Sequence, residues 1–198
     1  MSGAAYTTWV KPLIDRGSAW VLLALLSPLL IGIVIAIKLG SPGPVFYRQQ
    51  RIGRDERRFD ILKFRTMTVD PERVAAQTHG HSPGVTGVGR VLRRLKIDEM
   101  PQLLNVALGD MSLVGPRPCL PALLDAIEPW ARARFSVTPG LTGLAQTNGN
   151  VHLSWPDRWR WDVHYVQRVS FALDARLLWR TLAVMLRGEG RYRRLPPP

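Results

Sequence analysis

The chain has 198 residues, enough for one compact domain and a short additional element. Cys119 is its only cysteine, which excludes an intrachain disulfide and fits a reducing setting for the folded part. Lys and Arg number 27 against 15 Asp and Glu, a formal charge of +12, so a polyanion, an anionic membrane surface or phosphorylated substrates are the partners to expect.

From Gly17 to Ile37 no residue is charged, and WVLLALLSPLLIGIVIAI is as long as a bilayer-crossing helix. Two features set it apart from a plain crossing. Ser27-Pro28 lies at its centre, where proline removes a helix hydrogen bond and predicts a kink. Both flanks are basic, with Lys11 and Arg16 before and Lys38, Arg48 and Arg51 after, so neither end is the obvious one to leave the cytoplasm. A broken helix that enters and leaves by one face satisfies both features, and a kinked single-pass anchor is the alternative. The segment selects the membrane among the partners that charge allows. Residues 1–40 are therefore read as a re-entrant membrane helix, 41–190 as a cytosolic catalytic domain and 191–198 as a disordered tail.

After the Ser41-Pro42-Gly43-Pro44 turn, two strands are predicted over Val45–Gln50 and Phe59–Phe64, around a turn at Gly53–Glu56. Pro71–Gln77 reads as a short helix and His79–Gly84 as a loop. Val88, Val91, Leu92 and Leu95 recur at helical spacing with Thr86 as a cap, and a second helix follows over Glu99–Leu108. Gly109–Pro118 reads as a loop. Leu120, Leu123, Leu124 and Ile127 predict a third helix, and Val137–Asn150 another loop. Ser154 caps a helix through Tyr165, and Leu177, Leu178, Leu182, Val184, Met185 and Leu186 mark a last apolar helix. Trp155, Trp159 and Trp161 alternate with Arg158 and Arg160, a pattern that favours the membrane interface. The fold class expected is α+β, mostly helical, with a small β-hairpin and amphipathic helices at that interface.

Asp98 and Glu99 stand between two predicted helices. As structure, Asp98 is a helix N-cap and Glu99 a first-turn carboxylate. As chemistry, a carboxylate at a helix start with Arg93, Arg94 and Lys96 nearby faces gathered phosphate groups, and adjacent carboxylates divide attack from Mg²⁺ binding. Arg117, between Pro116 and Pro118, is a pre-set phosphate clamp or a residue of a rigid turn. In KFRTM, strand alternation puts Lys63 and Arg65 on one side. Gly84, Gly87 and Gly89 lack a phosphate-loop signature, and the four histidines lack metal-site spacing.

In chain order, the SP-interrupted apolar segment, KFRTM, IDEMPQLLNVALGDMSLVGPRP, PGLTGLAQTNG, WDVHYV and VSFALDARLLWRTLAVML together resemble the bacterial sugar transferase family, in its small monotopic phosphoglycosyl transferase form. The resemblance implies a transfer of sugar 1-phosphate from a UDP-sugar to polyprenol phosphate, at the cytoplasmic face of the bacterial inner membrane. It implies Asp98 as the carboxylate that forms a covalent phosphosugar intermediate and Glu99 as the Mg²⁺ residue. Substrate contacts are implied at Lys63, Arg65, Arg93, Arg117, Gln146, Asn148 and Asp162. Membrane lipids are expected partners, nucleic acid is not, and a homodimer is left open. Thr138 stands where the family often has a basic residue, and Asn150 where it often has arginine. A five-residue step along one helix turns about 140°, so Arg93 and Asp98 converge only if the chain breaks between them. A membrane-tethered nucleic-acid or anionic-lipid binding protein is the rival reading of the charge.

Overall fold

A computed structural model describes residues 5–68, 84–187 and 196. The expected helix over Pro71–Gln77, nearly all of the loop His79–Gly84 and nearly all of the tail 191–198 lie outside the described residues.

A π-helical turn, Tyr6–Val10, runs into helix α1, Lys11–Gly40. Together they form one helix long and apolar enough to cross a membrane. Pro28 lies inside α1, which continues through it, and Ser27 Oγ donates to the Ala24 carbonyl at 2.8 Å. The expected break at Ser27-Pro28 is thus not an interruption of secondary structure.

α1 is packed against the rest of the chain along its whole length. Near its start, Lys11 Nζ donates to Asp174 at 2.6 Å, and Asp15 accepts from Ser112 Oγ at 2.6 Å. In its middle, Ala19, Leu23 and Leu26 join the main core with Leu103, Val106, Ala107 and Met111. Near its end, Ile33 and Ile37 pack on Val45, Phe64 and Leu92. The opposite face leaves Trp20, Val21, Leu25, Leu29, Ile31 and Ile35 exposed. A stripe this apolar has no reason to face water.

The predicted hairpin forms as β1, Phe46–Ile52, antiparallel to β2, Arg58–Phe64, with Phe46 opposite Phe64 and Ile52 opposite Arg58. Helix α2, Gly87–Arg94, is capped as predicted: Thr86 Oγ1 accepts from Gly89 N. Gly89 serves packing, not phosphate. A Cβ there would collide with the Thr66 backbone. Helix α3, Gln102–Leu108, starts three residues later than predicted. Asn105 ties it to β2, accepting from Leu62 N and donating to the Asp60 carbonyl.

Both predicted loops hide a strand. β3, Ser112–Val114, pairs in parallel with β4, Gly140–Thr142. Contact is close enough that a Cβ on Gly140 would meet the Gly115 backbone. A short helix α4, Leu144–Thr147, follows β4. The helix expected over Leu120–Ile127 is only a 3-10 turn, Pro121–Leu123, with Ile127 buried against Phe135 and Trp159. The backbone bonds there span three residues, with Leu123, Leu124, Ala126 and Ile127 N donating to the Leu120, Pro121, Leu123 and Leu124 carbonyls, which is the tighter 3-10 pattern. Helix α5, Trp155–Gln167, has the predicted Ser154 cap, and helix α6, Phe171–Arg187, carries the last apolar stripe. The tryptophan cluster divides: Trp159 is in the core and Trp161 partly so, while Trp155 is half-exposed beneath the Arg158 guanidinium at 4.4 Å. Of the three tryptophans only Trp159 is buried.

Candidate active site

The Asp98-Glu99 turn is built from its backbone outward. α2 ends in a Schellman motif, with Ile97 N bonded to the Leu92 carbonyl and Lys96 N to the Arg93 carbonyl. Lys96 takes the left-handed conformation this requires, at φ 56°. This is the break that lets Arg93 and Asp98 converge, and it comes from the end of α2 rather than from a cap on α3. The N-cap position of α3 is Pro101, with no side-chain cap, so Asp98 is not an N-cap. Its carbonyl accepts from Phe64 N at 2.9 Å, which fixes the turn to the end of the hairpin.

Glu99 is gripped from two sides. Oε1 accepts from Lys63 Nζ at 2.7 Å and from Arg117 Nη2 at 2.8 Å, with Arg117 Nη1 at 3.4 Å from Oε2. Burial alone would raise its pKa, but the contacts with Arg117 and Lys63 outweigh burial and hold the carboxyl well below its ordinary range. Asp98, half-buried, shifts the other way. Burial first, then the charge of Glu99, raises its pKa, against partial relief from Lys63, its own backbone amide and Arg93. Arg93 Nε is itself held by Thr66 Oγ1 at 2.8 Å. The turn therefore presents one carboxylate locked in ion pairs and a neighbour that feels the same cations without touching them.

Arg117 is placed by a second layer. Ile52 and Cys119 exchange backbone hydrogen bonds, joining the GPRP segment to β1. The Arg117 carbonyl accepts from Arg134 Nη2 at 2.7 Å, and Arg134 makes two bonds to Asp162 at 2.8 and 3.0 Å. Arg134 and Asp162 are both buried. Asp162 thus meets Arg134 and stands behind the Arg117 loop.

Arg65 also departs from expectation. β2 ends at Phe64, and the buried Arg65 guanidinium turns to the Ser41 and Pro42 carbonyls, each at 2.7 Å, and to Ser41 Oγ. It ties the exit of α1 to the hairpin, whereas Lys63 faces Glu99. Asn148 is buried too, donating to the Leu144 carbonyl and accepting from Arg180 at 2.8 Å. Gln146 is buried with neither amide atom hydrogen-bonded, and its Oε1 lies beside Gly143. Of the implied residues, Lys63, Arg93, Asp98, Glu99 and Arg117 converge, while Arg65, Asn148 and Asp162 are held within the fold.

Arg51 and Arg134 belong to the same neighbourhood and were not singled out from sequence. Arg51 donates to the Pro118 carbonyl and to Gln49, and burial together with the Arg117 charge lowers its pKa to about 10, so it stays protonated. Strand alternation, which puts Arg51 on one face with Tyr47 and Gln49 in β1, was the available signal. Arg134 carried none, because its partner is 28 residues away.

Residues 6–188 match the profile of the bacterial sugar transferase family. The chain is 40% identical to a Bacillus subtilis protein named as the uncharacterized sugar transferase EpsL, over 91% of this chain and 89% of that one. It is 43% identical to the UDP-glucose:undecaprenyl-phosphate glucose-1-phosphate transferase of Caulobacter vibrioides, over 92% of this chain and 72% of the relative. It is 37% identical to an Aeromonas hydrophila UDP-N-acetylgalactosamine-undecaprenyl-phosphate N-acetylgalactosaminephosphotransferase, over 92% and 45%. The chain belongs to the bacterial sugar transferase family. It is therefore a transferase.

Proposed function

We propose that this transferase moves a sugar 1-phosphate from a UDP-sugar to undecaprenyl phosphate through a covalent intermediate on Asp98. The observation that carries the proposal is the Asp98-Glu99 turn: an uncapped, half-buried carboxyl beside a glutamate fixed by Lys63 and Arg117. The names of the relatives supply the substrate class, and they divide between glucose and N-acetylgalactosamine, so they do not choose the sugar.

Asp98 Oδ attacks the β-phosphorus of the UDP-sugar. The bond from that phosphorus to the oxygen bridging the α-phosphate breaks, and UMP leaves. A phosphate oxygen of undecaprenyl phosphate then attacks the aspartyl phosphosugar, the phosphorus–aspartate bond breaks, and the carboxylate is restored. Lys63, Arg93 and Arg117 offset the repulsion between the diphosphate and the two carboxylates. Asp98 must be ionised to attack, and its raised pKa makes it the more nucleophilic of the pair.

Among the described residues no group of three or more metal-ligating side chains occurs. A Mg²⁺ bound by one carboxylate and substrate phosphates is compatible, because Glu99 Oε2 keeps free lone pairs beyond its 3.4 Å contact. When bound, the ion would neutralise diphosphate charge. The reaction belongs at the cytoplasmic face of the inner membrane, with α1 and the exposed stripe of α6 in the lipid interface.

The test uses the purified protein and a UDP-sugar panel without acceptor lipid. UMP release should reach about one equivalent per site, and intact-protein mass spectrometry should show an added phosphosugar. Asp98→Asn should show no adduct and lose on the order of a thousandfold or more in turnover. Wild-type turnover by the Asn variant would overturn the mechanism.

A further inference from the structure

A cavity of about 750 Å³ lies at the turn end of the hairpin, and nothing in the proposed chemistry uses it. Its walls come from the start of α1, the Gly53–Phe59 turn, the Gly109–Ser112 loop and residues 136–138. Asp98, Glu99, Lys63, Arg93 and Arg117 are all absent from them.

The lining is cationic. Lys11, Arg16, Arg54, Arg57 and Arg58 face Asp15, Asp55 and Asp110. Two of the acids are committed, Asp15 to Lys11 and Ser112, and Asp55 to Arg54. Lys11 is held by Asp174, and Arg58 contacts Gln50. Arg16 and Arg57 make no side-chain hydrogen bond or ion pair with any described residue. Asp110, exposed, is the one acid left against them.

Arg16 also lies on an apolar stripe. Trp9, Leu13, Arg16 and Trp20 follow one another at steps of four, three and four residues, so they share a face. Trp9 and Leu13 are each 76% exposed and Trp20 54%. A guanidinium on a lipid-facing stripe must turn toward the headgroup level. This one turns over Gly109, where a Cβ would collide with it. Arg57 approaches the same space from the hairpin turn, and the Thr7, Thr8, Ser136 and Thr138 side chains add hydroxyls.

We propose that this cavity binds the headgroup of an anionic phospholipid, with its phosphate between Arg16 and Arg57 and its acyl chains along Trp9 and Leu13. The volume is within the range of small-ligand sites. Both polar and apolar parts of the occupant are matched, which a free phosphate or nucleotide would not need. The proposal rests on α1 lying in the membrane and is independent of the chemistry at Asp98.

The test is native mass spectrometry of the full chain in detergent with equal phosphatidylglycerol and phosphatidylcholine. The wild type should retain phosphatidylglycerol selectively. Arg16→Gln and Arg57→Gln should each reduce that adduct severalfold, and the double variant should abolish the selectivity. UMP release, read in lipid-free micelles on the same samples, should be unchanged in all three and so reports their folding. Equal retention of the two lipids, or wild-type retention by the double variant, would overturn the proposal. So would displacement of the adduct by millimolar UMP or inorganic phosphate, which would make this a soluble-phosphate site. A wild type that binds phosphatidylglycerol yet releases no UMP would refute the transferase mechanism and leave this site standing.

Discussion

Burial acts on both carboxyls of the Asp98-Glu99 turn, and only Glu99 has cations in contact to overcome it. An aspartate whose pKa is raised on folding holds its proton more tightly in the folded chain. Its ionisation therefore lowers stability as pH rises from the ordinary aspartate value through the raised one. Asp98→Asn removes that penalty. The Asn variant should melt at a higher temperature than the wild type at neutral pH, and the gap should close in acid. A lower melting temperature at neutral pH would mean that the carboxylate makes a stabilising contact after all. The same shift should move the acid limb of UMP release above the ordinary aspartate range. Arg117 acts through shape as well as charge, since its two terminal nitrogens reach both Glu99 oxygens. Arg117→Lys can reach only one and should lower kcat/KM on the order of tenfold, measured as UMP release. The convergence of Lys63, Arg93, Asp98, Glu99 and Arg117 was legible because family motifs marked each residue. The residues alone gave Asp98 two readings, a helix cap and a phosphate-facing carboxylate, and the structure has no cap there.

At the scale of elements, the helix caps were legible in the sequence and the long-range pairings were not. Thr86 and Ser154 cap their helices because a cap needs only the next three residues. β3 and β4 looked like loops because each has three residues and its partner lies more than twenty residues away. Arg65 was misplaced by alternation, which ends with the strand at Phe64. The Arg134–Asp162 pair is the contact that sequence could least show, and it positions the Arg117 loop. Asp162→Asn would leave a buried guanidinium without its counter-charge, at a cost of about 3–5 kcal/mol. The variant should melt roughly 10 °C lower by calorimetry. A melting temperature within about a degree of wild type would show that Arg134 is satisfied without Asp162.

On the scale of the molecule, α1 behaves as part of the domain rather than as a tether. Lys11 and Asp15 are bound to Asp174 and Ser112 at one end, and the Ser41 and Pro42 carbonyls to Arg65 at the other. Lys11 and Ile37 are separated by about 39 Å of helix at 1.5 Å per residue, against roughly 30 Å of hydrocarbon. A helix standing across the bilayer would carry one of those attachment points, and the folded chain around it, to the far side. Keeping both attachments means keeping both ends on one face, with the exposed stripe of Trp20, Leu25, Leu29 and Ile35 turned to lipid. This geometry supports the monotopic reading independently of the basic flanks and of Pro28. Cysteines introduced as Thr8→Cys and Asp55→Cys should therefore both react with a membrane-impermeant maleimide only after the cytoplasmic side is opened. Asp174→Leu leaves Lys11 without its main partner and loosens the first attachment, so part of that population should expose position 8 to the periplasm. Labelling of Thr8→Cys from the periplasm in the otherwise native chain would show that α1 crosses, and that its packing on the domain does not survive in the membrane.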